Sequence, residues 1–301
     1  MANPEAGSGG EAARPRRSAL YMPGANAKAM DKARTLPADT LLFDLEDAVA
    51  PEAKVGARDA FAAALQAGGY GRREIVVRVN ALATEWGRDD VKAAAAAKPD
   101  AVLFPKIESA AQAAEADRAL SEAGASERTA LWAMIETPLA ILDIKEIAAA
   151  ARATRLKAFV IGTNDLAKET GALQTPAREA FLPSLVFCVL AARAYGLAVL
   201  DGVYNDIADA AGFEASCRQG LALGFDGKTL IHPSQIEPCN AVFTPPESDV
   251  AHARDVIAAF AAPENAGKGV LKVNGKMTEL LHLAQARRLV GMDRAIKAMA
   301  G

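Results

Sequence analysis

Residues 130–138 read Ala-Leu-Trp-Ala-Met-Ile-Glu-Thr-Pro, six apolar residues followed by a glutamate, a threonine and a proline. A short apolar run that ends at a polar turn is typical of a strand buried in a sheet. The residue before a proline disfavours helical geometry, which places a turn after this run. The stretch therefore predicts a buried strand, Ala130–Ile135, with the carboxylate of Glu136 projecting from the turn that follows.

Seven similar apolar runs occur elsewhere in the chain, and longer alanine-rich amphipathic stretches separate them. This alternation predicts a parallel sheet with helices packed outside it. The eight predicted strands are Ser18–Tyr21, Thr40–Asp44, Glu74–Arg78, Ala101–Phe104, Ala130–Ile135, Ala158–Ile161, Leu197–Leu200 and Phe225–Lys228. Eight strands close such a sheet, so the predicted fold class is α/β, a (β/α)8 TIM barrel with a C-terminal helical extension.

The chain is expected to have three parts. Residues 1–16, rich in Gly, Ala, Pro and Glu, are predicted to form a disordered N-terminal arm. Residues 17–246 form the TIM-barrel catalytic domain, and residues 247–301 form a C-terminal helical segment that acts as a lid or an oligomer contact. Within that segment we expect a helix at Ser248–Ala261, a short extended piece at Val270–Val273, and one or two helices over Met277–Met299.

Composition narrows the class of protein. The chain is 51% hydrophobic, which is ample for one large core, and its net charge of −3 gives no broad field for nucleic acid or a membrane surface. A small-molecule partner is therefore expected. The three cysteines form no CxxC pair and are predicted to be reduced thiols. No apolar run approaches the ~18 residues of a membrane span, and the start lacks a signal-peptide core, so a cytoplasmic location is expected.

Polar or turn-forming residues follow every predicted strand. They are Tyr21–Gly24, Asp44–Asp47, Arg78, Pro105–Lys106, Glu136, Asn164–Asp165, Asp201 and Lys228. Because the loops at the carboxyl ends of barrel strands converge on one mouth, these residues are predicted to line one active site.

Glu136 and Asp165 follow adjacent strands in this arrangement. Two carboxylates with coordination positions left over suit Mg²⁺, a hard ion usually held by one or two carboxylates plus substrate oxygens, and Mn²⁺ is an alternative. None of the three histidines lies near a second soft ligand in sequence, which argues against zinc or copper. The alternative for the two carboxylates is a helix cap or a salt bridge to a barrel arginine.

Arg78 ends an apolar strand, where a guanidinium is unfavourable unless it pairs with a carboxylate or an anionic substrate. Asp44, Glu46 and Asp47 place three carboxylates in four positions. We expect at least one of them to pair with Arg78 or a lysine, and another to act on substrate or on metal-bound water. Their individual roles are not separable from sequence.

Six segments are familiar as a set. They are Arg17–Gly24 (RSALYMPG), Phe43–Val49 (FDLEDAV), Val77–Asn80 (VRVN), Met134–Pro138 (MIETP), Gly162–Leu166 (GTNDL) and Gly227–Pro233 (GKTLIHP). In this order they span nearly the whole chain. With them the chain resembles the HpcH/HpaI aldolase and citrate lyase beta-subunit superfamily, particularly its stand-alone coenzyme A members such as malyl-CoA and citramalyl-CoA lyases.

The resemblance implies a role for several positions. It makes Glu136 and Asp165 the Mg²⁺ ligands and places Arg78 on the metal-bound keto acid. It assigns the substrate carboxylate to the backbone of Thr137, Pro138 and Leu139, and coenzyme A to Tyr21, Pro23, Gly24, Lys28, Ile231, His232 and Pro233. A lysine beside Asn26 suits a phosphate by charge. The alternative for Lys28 is a solvated helix residue.

The implied reaction is reversible carbon–carbon cleavage of a short 3-hydroxyacyl-CoA thioester into acetyl-CoA and glyoxylate or pyruvate, with Arg78, Asp44 and Asp47 as catalytic residues. Relatives take an acid–base residue from the C-terminal segment of a neighbouring subunit, commonly an aspartate in a Gly-x-Met-x-Asp context. Here that position is Glu279, one methylene longer. Glu279 is predicted to do the same job, to mark a different product fate such as hydrolysis, or to be a helix N-terminal carboxylate. A homo-oligomer, a trimer or a multiple of it, is expected.

Other functions stay open at this point. A malyl-CoA thioesterase or malate synthase-like activity is the main alternative, followed by a citrate lyase beta subunit acting on an acyl-carrier-protein thioester. A non-catalytic coenzyme A-binding oligomer and a class II keto-acid aldolase acting on free sugars or dihydroxy acids are weaker hypotheses. The intact metal carboxylates argue against the first, and the coenzyme A segments argue against the second. The size of the acyl group is not fixed by sequence.

Overall fold

The computed structural model describes residues 14–299, so residues 1–13 of the predicted N-terminal arm lie outside the described residues. Eight parallel strands form a closed barrel in sequence order, with the last strand pairing with the first. The strands are β1 (Ser18–Pro23), β2 (Thr40–Asp44), β3 (Glu74–Arg78), β4 (Ala101–Phe104), β5 (Ala130–Ile135), β6 (Leu156–Ile161), β7 (Ala198–Asp201) and β8 (Gly227–Leu230). The predicted (β/α)8 barrel is confirmed.

Helices follow the strands and form the outer layer. They are α1 (Ala27–Ala33), α2 (Lys54–Ala67), α3 (Gly87–Ala97), α4 (Ala110–Glu122), α5 (Pro138–Leu142), α6 (Ile144–Ala149), α7 (Thr163–Thr170), α8 (Leu182–Tyr195), α9 (Ala210–Leu223) and α10 (Ile236–Phe243). Across residues 14–299, no helix combines the length and the apolar character needed to cross a membrane.

The last strand begins two residues later than predicted. Phe225 belongs to the end of α9, because its N–H donates to the Gly220 carbonyl at 3.0 Å after Gly224 adopts a left-handed conformation. This is the hydrogen bond of a Schellman helix end. Lys228, predicted at a strand end, consequently lies inside β8 and pairs with Ser18 of β1.

The barrel interior is filled by side chains that alternate along the strands. An apolar cluster that includes Leu42, Val76 and Trp132 occupies it. Below this cluster the Arg16 guanidinium lies 2.6 Å from Glu74 at the start of β3 and 5.3 Å from the centre of the Trp132 ring. A second, larger apolar cluster packs the outer helices on the sheet. The barrel is therefore a packed core, and only its mouth is left for chemistry.

The barrel forms one compact unit, Arg16–Phe243, and a second unit begins at Thr244. The second unit contains α11 (Glu247–Ala261), β9 (Val270–Val273), β10 (Lys276–Glu279) and α12 (Leu280–Met299). The prediction of helix from Met277 onward was wrong for the first three residues. Asn274 and Gly275 both have positive φ, which makes the tight turn that pairs β9 with β10 in an antiparallel hairpin.

Closure of the barrel predicts a strict requirement for glycine at Gly227. A Cβ there would overlap the backbone carbonyl oxygens of Arg16 and Arg17, which cannot move aside. We expect Gly227→Ala to lower the free energy of unfolding by about 3 kcal/mol or more. Gly56→Ala is the matched control, because its Cβ would meet nothing within 4 Å and α2 should gain about 0.5–1 kcal/mol. Urea unfolding followed by circular dichroism measures both; an unaltered midpoint for Gly227→Ala would contradict the account.

Candidate active site

Arg78 and Asp44 are the centre of the mouth. They are direct partners in the register of β2 and β3, and both are buried. The guanidinium grips the carboxylate with two parallel hydrogen bonds, Nε to Oδ1 and Nη2 to Oδ2, each 2.7 Å long. Such bidentate contacts are among the strongest charge-assisted pairs in proteins. The pair provides the charge compensation that Arg78 requires in an apolar strand.

Asp44 has no hydrogen-bonding capacity left for a substrate. Its Oδ1 also accepts from the Glu46 N–H and its Oδ2 from the Ala48 N–H, both at 2.9 Å. A carboxylate has about four lone-pair positions, and here each oxygen takes two donors. Asp44, predicted as catalytic, therefore has the geometry of a residue that positions Arg78 and the loop after β2.

Glu46 and Asp47 contact the remaining nitrogen of the same guanidinium. Arg78 Nη1 lies 2.8 Å from Glu46 Oε2 and 3.0 Å from Asp47 Oδ2. Burial raises the pKa of Glu46 to about 8, against the opposing effect of Arg78 and with help from Asp47. The Asp47 side chain, by contrast, is 64% exposed at the mouth.

Tyr21 lies under Arg78 instead of at the rim. The guanidinium carbon is 4.9 Å from the centre of its ring, a cation–π contact. Its hydroxyl is buried, and burial raises the tyrosine pKa above its ordinary value. The side chain of this predicted coenzyme A residue therefore supports the arginine from within the barrel.

Glu136 projects from the turn after β5, as the sequence predicts, and is buried. Its Oε1 accepts a hydrogen bond from the backbone N–H of Lys106 at 2.9 Å. Gly162 makes room for it, because a Cβ there would lie 2.5 Å from the Glu136 Cβ and 2.6 Å from Oε2. Burial, and then repulsion from Asp165, raises the pKa of Glu136 to about 7.

Asp165 lies in the first turn of α7, which begins directly after β6 and Gly162. Its Oδ1 is 3.2 Å from the Lys106 ammonium. The structure thus brings Glu136 and Asp165 to adjacent strand ends, and Lys106 contacts both of them.

The donor set at these two carboxylates fits a hard divalent cation. Between residues 14 and 299 the ion pairs of the acidic side chains at the mouth involve only two cations, Arg78 for Asp44, Glu46 and Asp47 and Lys106 for Asp165. Glu136 accepts the backbone N–H of Lys106. Within the same range no three His, Cys, Asp or Glu side chains converge as a complete protein cage. Magnesium is commonly held by one or two carboxylates with water or substrate completing the shell, which is the arrangement this mouth offers.

Thr137, Pro138 and Leu139 form the start of α5. Thr137 caps this helix, since its Oγ1 accepts from the Ala140 N–H at 3.2 Å. Pro138 carries no N–H, so Thr137 and Leu139 are the members of the trio that have a backbone donor. Leu139 is half-exposed, so the surface next to Glu136 is partly apolar.

The predicted coenzyme A residues lie on the side of the barrel where β1 and β8 pair. Gly24 donates its N–H to the Asp44 carbonyl at 2.9 Å, and a Cβ there would lie 2.7 Å from the same oxygen. Lys28 is exposed on α1. The turn after β8 is held by Gln235, whose Oε1 accepts from the Ile231 and His232 N–H groups, while Ile231 and His232 are exposed and Pro233 begins a short 3₁₀ helix.

Glu279 is the last residue of β10 in the second unit. Its side chain is exposed, and its backbone N–H donates to His282 Nδ1 at 2.9 Å. It directly precedes Leu280, the first residue of α12, so its carboxylate lies at the N-terminal end of this helix and that alternative for Glu279 stays open.

Sequence reasoning missed a buried network behind the acidic loop. The Lys54 ammonium donates to the Leu45 and Glu46 carbonyls at 3.2 and 3.0 Å and to Asn80 Oδ1 at 2.7 Å. Asn80 Nδ2 donates in turn to Asp90 at 2.6 Å. No sequence signal marks Lys54, because it lies in an alanine-rich helix like many surface lysines.

Asp201 and Lys228, predicted at the mouth by strand position, form a fully buried ion pair of 2.9 Å between the sheet and the outer helices. Arg178 also contacts Asp201, at 2.7 Å. Burial acts to raise the pKa of Asp201, and these two cations outweigh it and lower that pKa. All hydrogen-bonding partners of Lys228 are internal, so the pair is structural.

A model of the HpcH/HpaI aldolase/citrate lyase family matches residues 17–233. The chain belongs to this family, and the resemblance predicted from the six segments is confirmed. It is 48% identical over 286 residues to a protein of Cereibacter sphaeroides named (3S)-malyl-CoA thioesterase, covering 95% of this chain and 97% of that one. It is 38% identical over 271 residues to citrate lyase subunit beta of Escherichia coli, covering 88% and 89%.

Among solved structures, CitE from Mycobacterium tuberculosis in complex with magnesium, acetoacetate and coenzyme A has a similar fold. The TM-score is 0.72 at 29% identity, over 92% of this chain and 97% of that chain. A second CitE structure from the same organism, in complex with magnesium and pyruvate, gives a TM-score of 0.65 at 30% identity over 76% and 91%.

The environment of Glu136 predicts that the free energy of unfolding of the metal-free protein depends on pH. Its pKa rises from 4.5 to about 7 on folding, so the folded chain holds the proton more tightly than the unfolded chain. The resulting penalty is absent below about pH 4.5, grows up to about pH 7 and stays constant above it, at about 3 kcal/mol. Glu136→Gln removes the penalty and can keep the hydrogen bond from Lys106.

We therefore expect Glu136→Gln to unfold at a higher temperature than wild type at pH 8 in EDTA, with the gap closing toward pH 4.5. Glu115→Gln is the control, since this carboxylate is about half-exposed and pairs loosely with Arg88. Calorimetry across the pH range reports the difference. A gap that is the same at both pH values would show that Glu136 is ionised without penalty.

Proposed function

We propose that this protein is a Mg²⁺-dependent thioesterase acting on a short 3-hydroxyacyl-CoA of the malyl-CoA type. The observation that carries the proposal is the 46–48% identity to proteins named (3S)-malyl-CoA thioesterase across 95% of the chain, the C-terminal unit included. Identity to citrate lyase beta subunits is lower, 34–38%. The sequence alone favoured the lyase reaction and gave the thioesterase as its main alternative. With these identities the thioesterase is the first candidate and the lyase is the second.

The site supports binding of the acid half of such a substrate. Glu136 and Asp165 would hold Mg²⁺, which would supply Lewis-acid polarisation of the acid half of the substrate. Arg78, held in one orientation by Asp44, offers a cation beside that position. The N–H groups of Thr137 and Leu139 lie next to Glu136 and suit the substrate carboxylate. The turns after β1 and β8, with Lys28, are proposed to receive coenzyme A.

Hydrolysis needs a group that takes a proton from water. Water attacks the thioester carbonyl carbon, the carbon–sulfur bond breaks, and coenzyme A leaves as a thiol. Asp47 is exposed at the mouth and contacts Arg78 through Oδ2. Its carboxylate can therefore act on that water. Glu279 is the second candidate, provided by the C-terminal segment of a neighbouring subunit. Glu46, whose pKa burial raises to about 8, suits proton donation.

The lyase is retained as second candidate because the family is named for aldolases and citrate lyases. The same Arg78, Glu136 and Asp165 would bind the keto acid that carbon–carbon cleavage releases. A beta subunit acting on a carrier-protein thioester ranks third, and a non-catalytic coenzyme A-binding oligomer is opposed by the intact charged site.

The reaction products distinguish the thioesterase from the lyase. With Mg²⁺ and (3S)-malyl-CoA we expect one free thiol and one malate per thioester consumed, without acetyl-CoA or glyoxylate. In ¹⁸O-water one label should enter the new malate carboxyl group. Arg78→Lys, which keeps the charge and loses the bidentate grip, should reduce turnover about 100-fold. Equal amounts of acetyl-CoA and glyoxylate, measured by mass spectrometry, would replace the thioesterase by the lyase.

A homo-oligomer, a trimer or a multiple of it, is part of the proposal. The outer face of α8 supports it, since residues 185–192 of this helix are all apolar and Val186, Phe187 and Leu190 are exposed at helical spacing. Such a face on an outer helix is typical of a subunit contact.

Sharing of sites between subunits predicts complementation. Glu136→Ala lacks the metal carboxylate and Glu279→Ala lacks the second candidate proton acceptor. Where Glu279 takes the proton, each homo-oligomer should be nearly inactive. Mixed trimers, co-expressed and purified through two different tags, should regain about a third of wild-type activity, because each mixed trimer then contains one site built from two intact halves. Mixed oligomers as inactive as the parents would show that Glu279 serves no neighbouring site. The pair Glu136→Ala and Asp165→Ala, both in one barrel, is the control that should not complement.

A further inference from the structure

Lys106 has a backbone conformation that residues with a Cβ seldom adopt. Its φ is +50°, in the left-handed region, which is unfavourable for residues other than glycine. The turn directs its N–H to Glu136 Oε1 at 2.9 Å and allows the next residue, Ile107, to donate to the Met134 carbonyl at 3.3 Å. The strained residue is thus fixed from both sides by the chain at the end of β5. Strain of this kind persists where the surroundings hold it and is frequent at functional sites.

The side chain of Lys106 reaches a different element. Its ammonium lies 3.2 Å from Asp165 Oδ1 and 3.9 Å from Glu169 Oε1, both on α7. Lys106 therefore binds the two carboxylates of the proposed metal site by separate groups, Glu136 through the backbone and Asp165 through the ammonium. The backbone contact is anchored, whereas the side chain is 43% exposed and sits on a flexible stem.

We propose that Lys106 is the resident counter-cation of this site: its ammonium neutralises Asp165 when no divalent cation is bound and competes with a divalent cation for that carboxylate. The inference rests on the proposed Mg²⁺ site. An ammonium and a divalent cation on one carboxylate repel each other, so binding of the metal displaces the side chain. The backbone N–H meanwhile stays on Glu136. Lys106 is a positioning residue that keeps an acid-rich site open and ready.

Isothermal titration of the full-length protein with MgCl₂ tests the competition directly. Lys106→Met removes the ammonium and keeps an unbranched side chain, and we expect Mg²⁺ to bind about tenfold more tightly than to wild type. Lys106→Arg retains the charge and should stay within about twofold of wild type. Lys145→Met is the matched control. Lys145 is an exposed lysine on α6 that pairs with Glu146, and its substitution removes the same unit of charge away from the site.

Thermal unfolding provides a second measurement that does not depend on activity. In EDTA, Lys106→Met should unfold at a lower temperature than wild type, because Asp165 then faces Glu136 without a counter-cation. Saturating Mg²⁺ should raise the unfolding temperature of this variant more than that of wild type. Lys106→Gln carries the same expectations and replaces the methionine variant if that variant does not fold.

Mg²⁺ binding to Lys106→Met that is equal to or weaker than binding to wild type overturns the counter-cation role and leaves the Mg²⁺ site standing. Absence of Mg²⁺ binding in wild type and in every variant overturns both this inference and the proposed site.

Discussion

A guanidinium inside an apolar barrel has to be neutralised, and the pairing of Arg78 with Asp44 sets the geometry of the mouth. The two residues face each other across β2 and β3, and both ends of the pair are tied to the backbone. Leu45 donates to the Arg78 carbonyl and Gly24 to the Asp44 carbonyl, each at 2.9 Å. Three strand ends are thus fixed by one ion pair. Removing either partner would leave a buried charge without compensation, which costs several kcal/mol.

This pairing also determines the charge of everything around it. Because Asp44 occupies two nitrogens of Arg78, Glu46 and Asp47 must share the third, and Glu136 and Asp165 lie beyond its direct reach. Burial raises the pKa of Glu46 and of Glu136, and the neighbouring carboxylates act in the same direction against the lowering effect of Arg78. A mouth of this kind favours cations at its open side. The attraction for a hard divalent ion is therefore a property of the whole strand-end ring and extends beyond two ligands.

The fold was predictable because every level of the sequence agreed on it. Eight apolar runs, the helices between them and the charged strand ends all lead to one closed barrel. The misplacement of Lys228 came from Phe225, an apolar residue that ends α9 and does not enter the strand. Periodicity alone does not separate these two uses of a phenylalanine. The hairpin of β9 and β10 had a local signal, the pair Asn274-Gly275, which is a preferred tight turn.

The candidate site was predictable in its position and less so in its roles. Strand-end reasoning finds Glu136, Asp165 and Arg78 because it needs only the order of the strands. It does not reveal that Asp44 uses all its lone pairs internally or that the Tyr21 ring lies under Arg78, because both depend on side-chain direction. The sequence predicts Lys106 at a strand end. It does not predict the left-handed backbone that lets Lys106 contact both Glu136 and Asp165.

Binding of the acid half and proton transfer fall to different groups of the proposed site, which explains how one site can suit either a thioesterase or a lyase. Both reactions begin with the same bound acid half, and the groups suited to holding it, Arg78, Glu136 and Asp165, belong to the barrel. The bond that breaks depends on where the proton acceptor meets the thioester: near its α-carbon for carbon–carbon cleavage, near a water at its carbonyl for hydrolysis. Glu279 extends one methylene further than the aspartate common in this context. The longer side chain shifts the carboxylate by about 1.5 Å. Such a shift is large enough to change its target from the proton on the thioester α-carbon to a proton of the attacking water. In the proposed function one barrel mouth can therefore serve either outcome, and the position of the proton acceptor selects between them.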